Sequence, residues 1–241
     1  MQNNDYKFPA LILGLCIVIA FSVFAYSFYS ARQLDNYLSV TGSATKKITS
    51  DSSKWVLNFN RVVETQNLKS GYTQMAKDSG IVTKFLKDSG VTDEQMTVSP
   101  VFMNMNYYYD KGANAPKEYT LTQNVEINST DIAKITELSK NLQPIIDQGV
   151  LVSTQGVEYF YTKLSDLRIE MLPDAMKDAQ ARASAIAESG GKKVSSLKSA
   201  SMGVVQVMSA NSIDVNDYGS YDTSKIEKQV MVTVRASYNL K

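Results

Sequence analysis

Residues 8–29, FPALILGLCIVIAFSVFAYSFY, contain no charged side chain. As an α-helix they would extend ~33 Å, enough to cross a bilayer core ~30 Å thick. No face of that helix would be polar, so it does not suit a half-exposed place on a soluble domain. Asp5 and Lys7 precede the stretch, Arg32 and Asp35 follow it, and Tyr26 and Tyr29 stand where interfacial aromatics gather. The rival reading is a cleaved signal peptide. Val23-Phe24-Ala25 is a passable cleavage site, but the apolar run is longer than a usual signal core. The expectation is an uncleaved anchor at 8–29, a tail at 1–7, a linker at 30–37 and a folded domain at 38–241. Lys7 stands against Arg32, Lys46 and Lys47, so basic residues alone would put the large domain inside. That rule is weak for long domains.

The rest of the 241-residue chain is long enough for one large or two small domains with a proper core. A net charge of +1 gives no electrostatic case for nucleic acid. Histidine is absent and Cys16 is the single cysteine. Ser–His, Cys–His and ordinary zinc sites are therefore excluded by inventory, unless a second chain contributes. No metal or cofactor is expected. Glu64, Glu126 and Glu170 have no spacing that marks an acid–base pair, and solvated surface is their default. Carboxylate or Ser–Lys catalysis stays open without naming a residue.

Several segments alternate with period two. Residues 38–42 read as a first strand. In 55–64 Trp55, Leu57, Phe59 and Val63 are apolar, and Arg61 breaks the run. In 119–128 Tyr119, Leu121, Val125 and Ile127 oppose polar residues; in 230–239 Val230, Val232, Val234, Ala236 and Tyr238 do the same. Such alternation means half-buried, antiparallel strands. Residues 96–107, 150–162 and 194–208 also read as strands. Three helices lie between. The first covers about 67–89, with Leu68, Tyr72, Met75, Val82 and Phe85/Leu86 on one face and Gly90 as C-cap. The second opens at Asp131, an N-cap, and runs toward Pro144. The third, 172–191, carries Ala175, Ala179, Ala181, Ala183, Ala185 and Ala187. Its expected buried stripe is Leu172, Ala175/Met176, Ala179, Ala183 and Ile186, with Pro173 in the first turn. The order strand, long helix, two strands occurs twice, consistent with two related β-α-β-β halves. The predicted class is α+β: long helices packed on one face of a largely antiparallel sheet, plus the N-terminal transmembrane helix.

Alanine costs no side-chain entropy in a helix and lets it approach its neighbour closely. Close packing within one subunit is the plain reading, and a contact between subunits is the functional one; Ala181 and Ala185 lie off the stripe. Tyr107, Tyr108 and Tyr109 sit in a loose connection, 104–117, and either stack on a sugar or peptide, cover an interface, or end a strand. A second loose connection, 209–224, contains Asp214, Asn216 and Asp217, but a calcium loop would want its bidentate Glu where Lys225 stands. Gly190-Gly191-Lys192-Lys193 follows its helix, whereas a phosphate loop precedes one, so it reads as a helix cap.

The chain resembles the SIMPL-domain family of bacterial periplasmic immunogenic and stress-associated proteins. The resemblance rests on LDNYLSVTGSATKKITSDSS, on the strand around QMTVSP, on EYTLTQNVEI, and above all on the helix register Ala175, Ala179, Arg182, Ala183, Ala187 and Gly191. It extends over about 36–240. Ser50-Asp51-Ser52 departs from the family pattern by lacking its proline. The resemblance implies an α+β domain outside the cytoplasm, anchored in the inner membrane through residues 8–29, and homo-oligomerisation. It implies a part in envelope integrity or stress tolerance and brings no catalytic site. The alternative expectation is a binding module for an envelope glycan or peptide, using the tyrosine-rich loop 104–117.

Overall fold

The structure is a computed structural model and describes residues 7–33, 36–106, 117–210, 212 and 218–241. Helix α1 (Lys7–Gln33) is continuous, and within it Phe8–Ser30 is long and apolar enough to cross a membrane and wholly unburied. The chain divides into two compact units. Unit 1 is Met1–Thr45, Arg168–Val205 and Met231–Lys241; unit 2 is Lys46–Leu167 and Gln206–Val230.

Unit 2 is built on two long strands, β2 (Ser52–Glu64) and β5 (Glu118–Ser129). They pair antiparallel from Ser53↔Ser129 to Glu64↔Glu118. Two short strands, β3 (Met96–Val98) and β4 (Phe102–Asn106), share the outer side of β5. Another two, β6 (Val152–Thr154) and β7 (Glu158–Phe160), share the outer side of β2. The expected strands at 96–107 and 150–162 are thus each interrupted. Pro100 cannot donate to a ladder and stands in the first gap; Gly156 stands in the second. The period-two reading of β2 and β5 holds: Trp55, Leu57, Phe59, Leu121, Val125 and Ile127 are fully buried. Three helices lie along the chain beside them: α2 (Leu68–Asp88), α3 (Ile132–Lys140) and α4 (Gln143–Ile146). They close the core with Met75, Val82, Leu86, Ile135 and Ile145. Tyr72, expected on that face, is exposed. Asp131 caps α3 as its sequence suggested, accepting the Lys134 N–H at 3.1 Å.

Arg61, the break in the apolar run, is answered from α2. Its Nε and Nη2 donate to Asp78 Oδ2 at 2.6 Å and Oδ1 at 3.0 Å, and Nη2 also reaches the Gly149 carbonyl at 2.9 Å. Asp78 is 1% exposed. A charge on the core face is tolerated because it is paired and hydrogen-bonded, and that bond to Asp78 raises the Arg61 pKa.

The second sheet contains β1 (Tyr37–Thr49), β8 (Val194–Ser209) and β9 (Glu227–Leu240), in the order β1-β9-β8. Val232, Val234, Ala236 and Tyr238 of β9 are buried as the alternation predicts. Helix α5 (Leu164–Ser189) starts earlier than the sequence suggested, so Pro173 is inside it rather than in its first turn. The proline is tolerated because it lies on the exposed side of the helix, where water meets the unpaired carbonyl. The buried residues of α5 are Leu167, Met171, Ala175, Ala179, Ala183 and Ala187, strictly four apart. Ile186, expected in the stripe, is 51% exposed. A repeat of four outruns the 3.6-residue turn, so the stripe drifts around the helix and leaves Ile186 outside it. The class is α+β with antiparallel sheets, and among the described residues there are two of them where the sequence suggested one.

Candidate functional site

In unit 1 the alanine stripe has a definite purpose. A Cβ added to Gly42 of β1 would lie 2.3 Å from the Ala175 carbonyl oxygen, 2.3 Å from the Ala179 nitrogen and 2.6 Å from the Ala179 Cβ. Strand and helix backbones touch there, so the stripe admits nothing larger than alanine and the strand nothing larger than glycine. Val40, Ala179, Ala183, Ala236 and Tyr238 form the small core at this contact, with Leu38, Met176 and Val194 against it. One polar link fixes the register. The Ser43 N–H donates to Asp178 Oδ2 at 2.8 Å, and Arg182 Nε donates to the same oxygen at 2.8 Å. The Ser43 amide, and then Arg182, hold the Asp178 carboxyl below the usual carboxylate range.

The residues on which the family resemblance rests have the following places in the structure. Ala175, Ala179, Ala183 and Ala187 are buried, while Arg182 is exposed and paired with Asp178. Gly191 has φ +70 and ends α5; the Gly191 N–H donates to Glu188 O at 3.0 Å and the Lys192 N–H to Ala187 O at 2.9 Å. This is the cap read from the sequence. Ala181 and Ala185 are exposed. Ala185 joins Ser39, Val40, Thr41, Arg182 and Ile186 around a shallow cavity of about 440 Å³. Tyr107, Tyr108 and Tyr109 lie outside the described residues, as do Asp214, Asn216 and Asp217.

The exposed condition of β8 is legible in the sequence only faintly. It lies at one edge of its sheet, where residues 220–222 bond to it at Val207, and every residue from Ser195 to Gly203 is exposed. Leu197 and Met202 are each 49% exposed. Along 195–203 the only charged side chain is Lys198, whose Nζ sits 3.9 Å from the centre of the Tyr37 ring. Proline, bulky charge and a covering helix are the usual guards of a sheet edge. The stretch SSLKSASMG has no proline and a single lysine. Its lack of period-two patterning was the one available signal.

Lys228 was also missed. It is fully buried in unit 2, its Nζ donates to the Asp222 carbonyl, and it stands 5.7 Å from the Tyr221 ring centre. Burial pushes its pKa down, and the attraction of Asp222 opposes that shift. Asp222 itself is held low by the Ser224 hydroxyl and N–H, each at 2.7 Å. The group ties residues 220–224 to β9. Among the described residues, no three carboxylate, histidine or cysteine side chains are grouped so as to hold a metal ion.

A protein-family model described as SIMPL, protein of unknown function (DUF541), matches residues 38–238. A search of curated proteins found no match.

Proposed function

The chain belongs to the SIMPL family, and from that premise we propose a membrane-anchored protein that works, without catalysis, by pairing with copies of itself. The edge of β8 at residues 195–203, away from Val207 where residues 220–222 already bond to the strand, carries this reading. An edge strand offers its backbone N–H and C=O groups to a further strand, and a second copy offers the same row in return. Because both faces of residues 195–203 are exposed, a paired strand would also gain side-chain neighbours such as Leu197 and Met202. Helix α1 supports the same reading. Held in a membrane by Phe8–Ser30, copies meet at an effective concentration far above their bulk value. The family resemblance supports placing the folded domain in the periplasm, with α1 in the inner membrane, and a role in envelope integrity or stress tolerance.

The test is the mass of the full chain in detergent micelles, by light scattering across micromolar concentrations. The wild type should exceed a monomer, and the double variant Leu197→Lys/Met202→Lys should be monomeric. Both side chains are exposed, so the variant should keep its circular dichroism spectrum. A monomeric wild type, or a variant that still assembles, would refute the proposal.

A further inference from the structure

One face of β2 and β5 packs on the core of unit 2; the other carries an uneven share of asparagine. Leu57 and Phe59 point to the core, so Asn58 and Asn60 point away from it. Register puts Asn124 opposite Asn58 and Thr122 opposite Asn60. On the far side of β5, Phe102 stands opposite Thr122 and Asn104 opposite Thr120. Amide and hydroxyl side chains thus cover three adjacent strands, with Phe102 52% exposed among them.

Solvation alone does not account for this choice. Asparagine is depleted in strands, whereas threonine, with comparable polarity, favours them. A face that only had to meet water would be more stable without asparagine, and departures from local preference concentrate at functional surfaces. Part of the array is satisfied internally. Asn58 Nδ2 donates to Asn124 Oδ1 at 2.8 Å, and Thr120 Oγ1 to Asn106 Oδ1 at 2.9 Å. Among the described residues Asn60 and Asn104 make no side-chain hydrogen bond, so each amide keeps both its donor and its acceptor.

We infer that the face centred on Asn60, Phe102, Asn104 and Thr122 binds an uncharged oligosaccharide. A primary amide donates to one hydroxyl and accepts from the next, which suits vicinal diols. The exposed Phe102 ring offers a flat apolar surface to the C–H face of a sugar ring. Charge argues for the same ligand. The rows at Asn60 and at Asn104 contain no charged residue, whereas Glu64, Glu118 and Glu126 lie at the two ends, with Glu126 paired to Lys54 at 3.0 Å. Such a face favours a neutral chain and disfavours a polyanion. The inference does not depend on assembly through β8.

The test is titration calorimetry of the full chain in detergent micelles with cellohexaose, chitohexaose and maltohexaose, and with polygalacturonate as the anionic control. At least one neutral hexasaccharide should bind, with polygalacturonate inert. Asn60→Thr/Asn104→Thr keeps polarity and favours strand, so it should unfold at a temperature no lower than wild type yet bind at least about tenfold more weakly. Phe102→Ala should weaken binding similarly while leaving the oligomeric mass unchanged. The inference fails if none of the three neutral hexasaccharides binds. It also fails if polygalacturonate binds as well as they do, or if the asparagine pair can be replaced without loss.

Discussion

Gly42→Ala adds one methyl group to the chain and should be among its most damaging small changes. The new Cβ would sit 2.3 Å from two backbone atoms of α5 and 2.6 Å from the Ala179 Cβ, where ordinary contact is 3.4–4 Å. Backbone atoms of one rigid helix cannot be moved by choosing another rotamer. The helix must lift from β1 by about 1 Å, and that motion stretches the 2.8 Å bond from the Ser43 N–H to Asp178. Overpacking costs about 1–3 kcal/mol and the strained, charge-assisted hydrogen bond about 1 kcal/mol more, so a loss of about 2–4 kcal/mol is expected. Gly80→Ala is the matched control: its Cβ would meet nothing within 4 Å, within helix α2. It should stabilise by about 0.5–1 kcal/mol, since glycine is a poor helix former. The single tryptophan, Trp55, lies in the core of unit 2, so its fluorescence is blind to the relevant contact. Amide hydrogen exchange of peptides from residues 175–187, read by mass spectrometry on the full chain in detergent, reports it directly. Protection in Gly42→Ala within about 0.5 kcal/mol of wild type would show that strand and helix are not in backbone contact, and the reading of the alanine stripe would go with it.

Two further outcomes follow from buried charge. Asp78→Ala leaves Arg61 unpaired on the core face and should cost about 3–5 kcal/mol, whereas Arg61→Met/Asp78→Leu should cost clearly less than the two single changes summed, in a denaturant double-mutant cycle. Lys228 has a native pKa below its unfolded value of 10.5, so between those two pH values the unfolded chain binds more protons and stability rises with pH. Lys228→Met should remove that rise; the difference between the two proteins in urea midpoint from pH 7 to 10.5 measures it, and parallel curves would show that Lys228 titrates normally.

How far the chain could be read without coordinates depended on the range of the interaction concerned. The uncharged run at 8–29, the alternation in β2, β5 and β9, the Asp131 cap and the Gly191 cap are set by neighbours a few residues away, and all are where the sequence put them. Helix α5 was misjudged at its start because Pro173, usually a first-turn residue, is allowed within a helix when its side of the helix faces water. The face of α5 was misjudged at Ile186 because which residues a drifting stripe buries depends on the strand beneath it. Arg61 was visible as an interruption, but its partner Asp78 comes from another element, and only packing brings the two together.

The sequence by itself determined which segments are apolar, their periodicities and several of their ends, because hydrophobic spacing and capping are local physics. It also determined, by its lack of histidine and its single cysteine, that these 241 residues alone supply no Ser–His, Cys–His or ordinary zinc site. The tertiary structure alone decided that the alanines serve backbone contact with Gly42, that β8 lies at an edge, and that Asn60 and Asn104 share a face with Phe102. Each of these depends on strand order or register between segments far apart in the chain. Many pairings satisfy the same local pattern, and the choice among them is made only when the segments pack together.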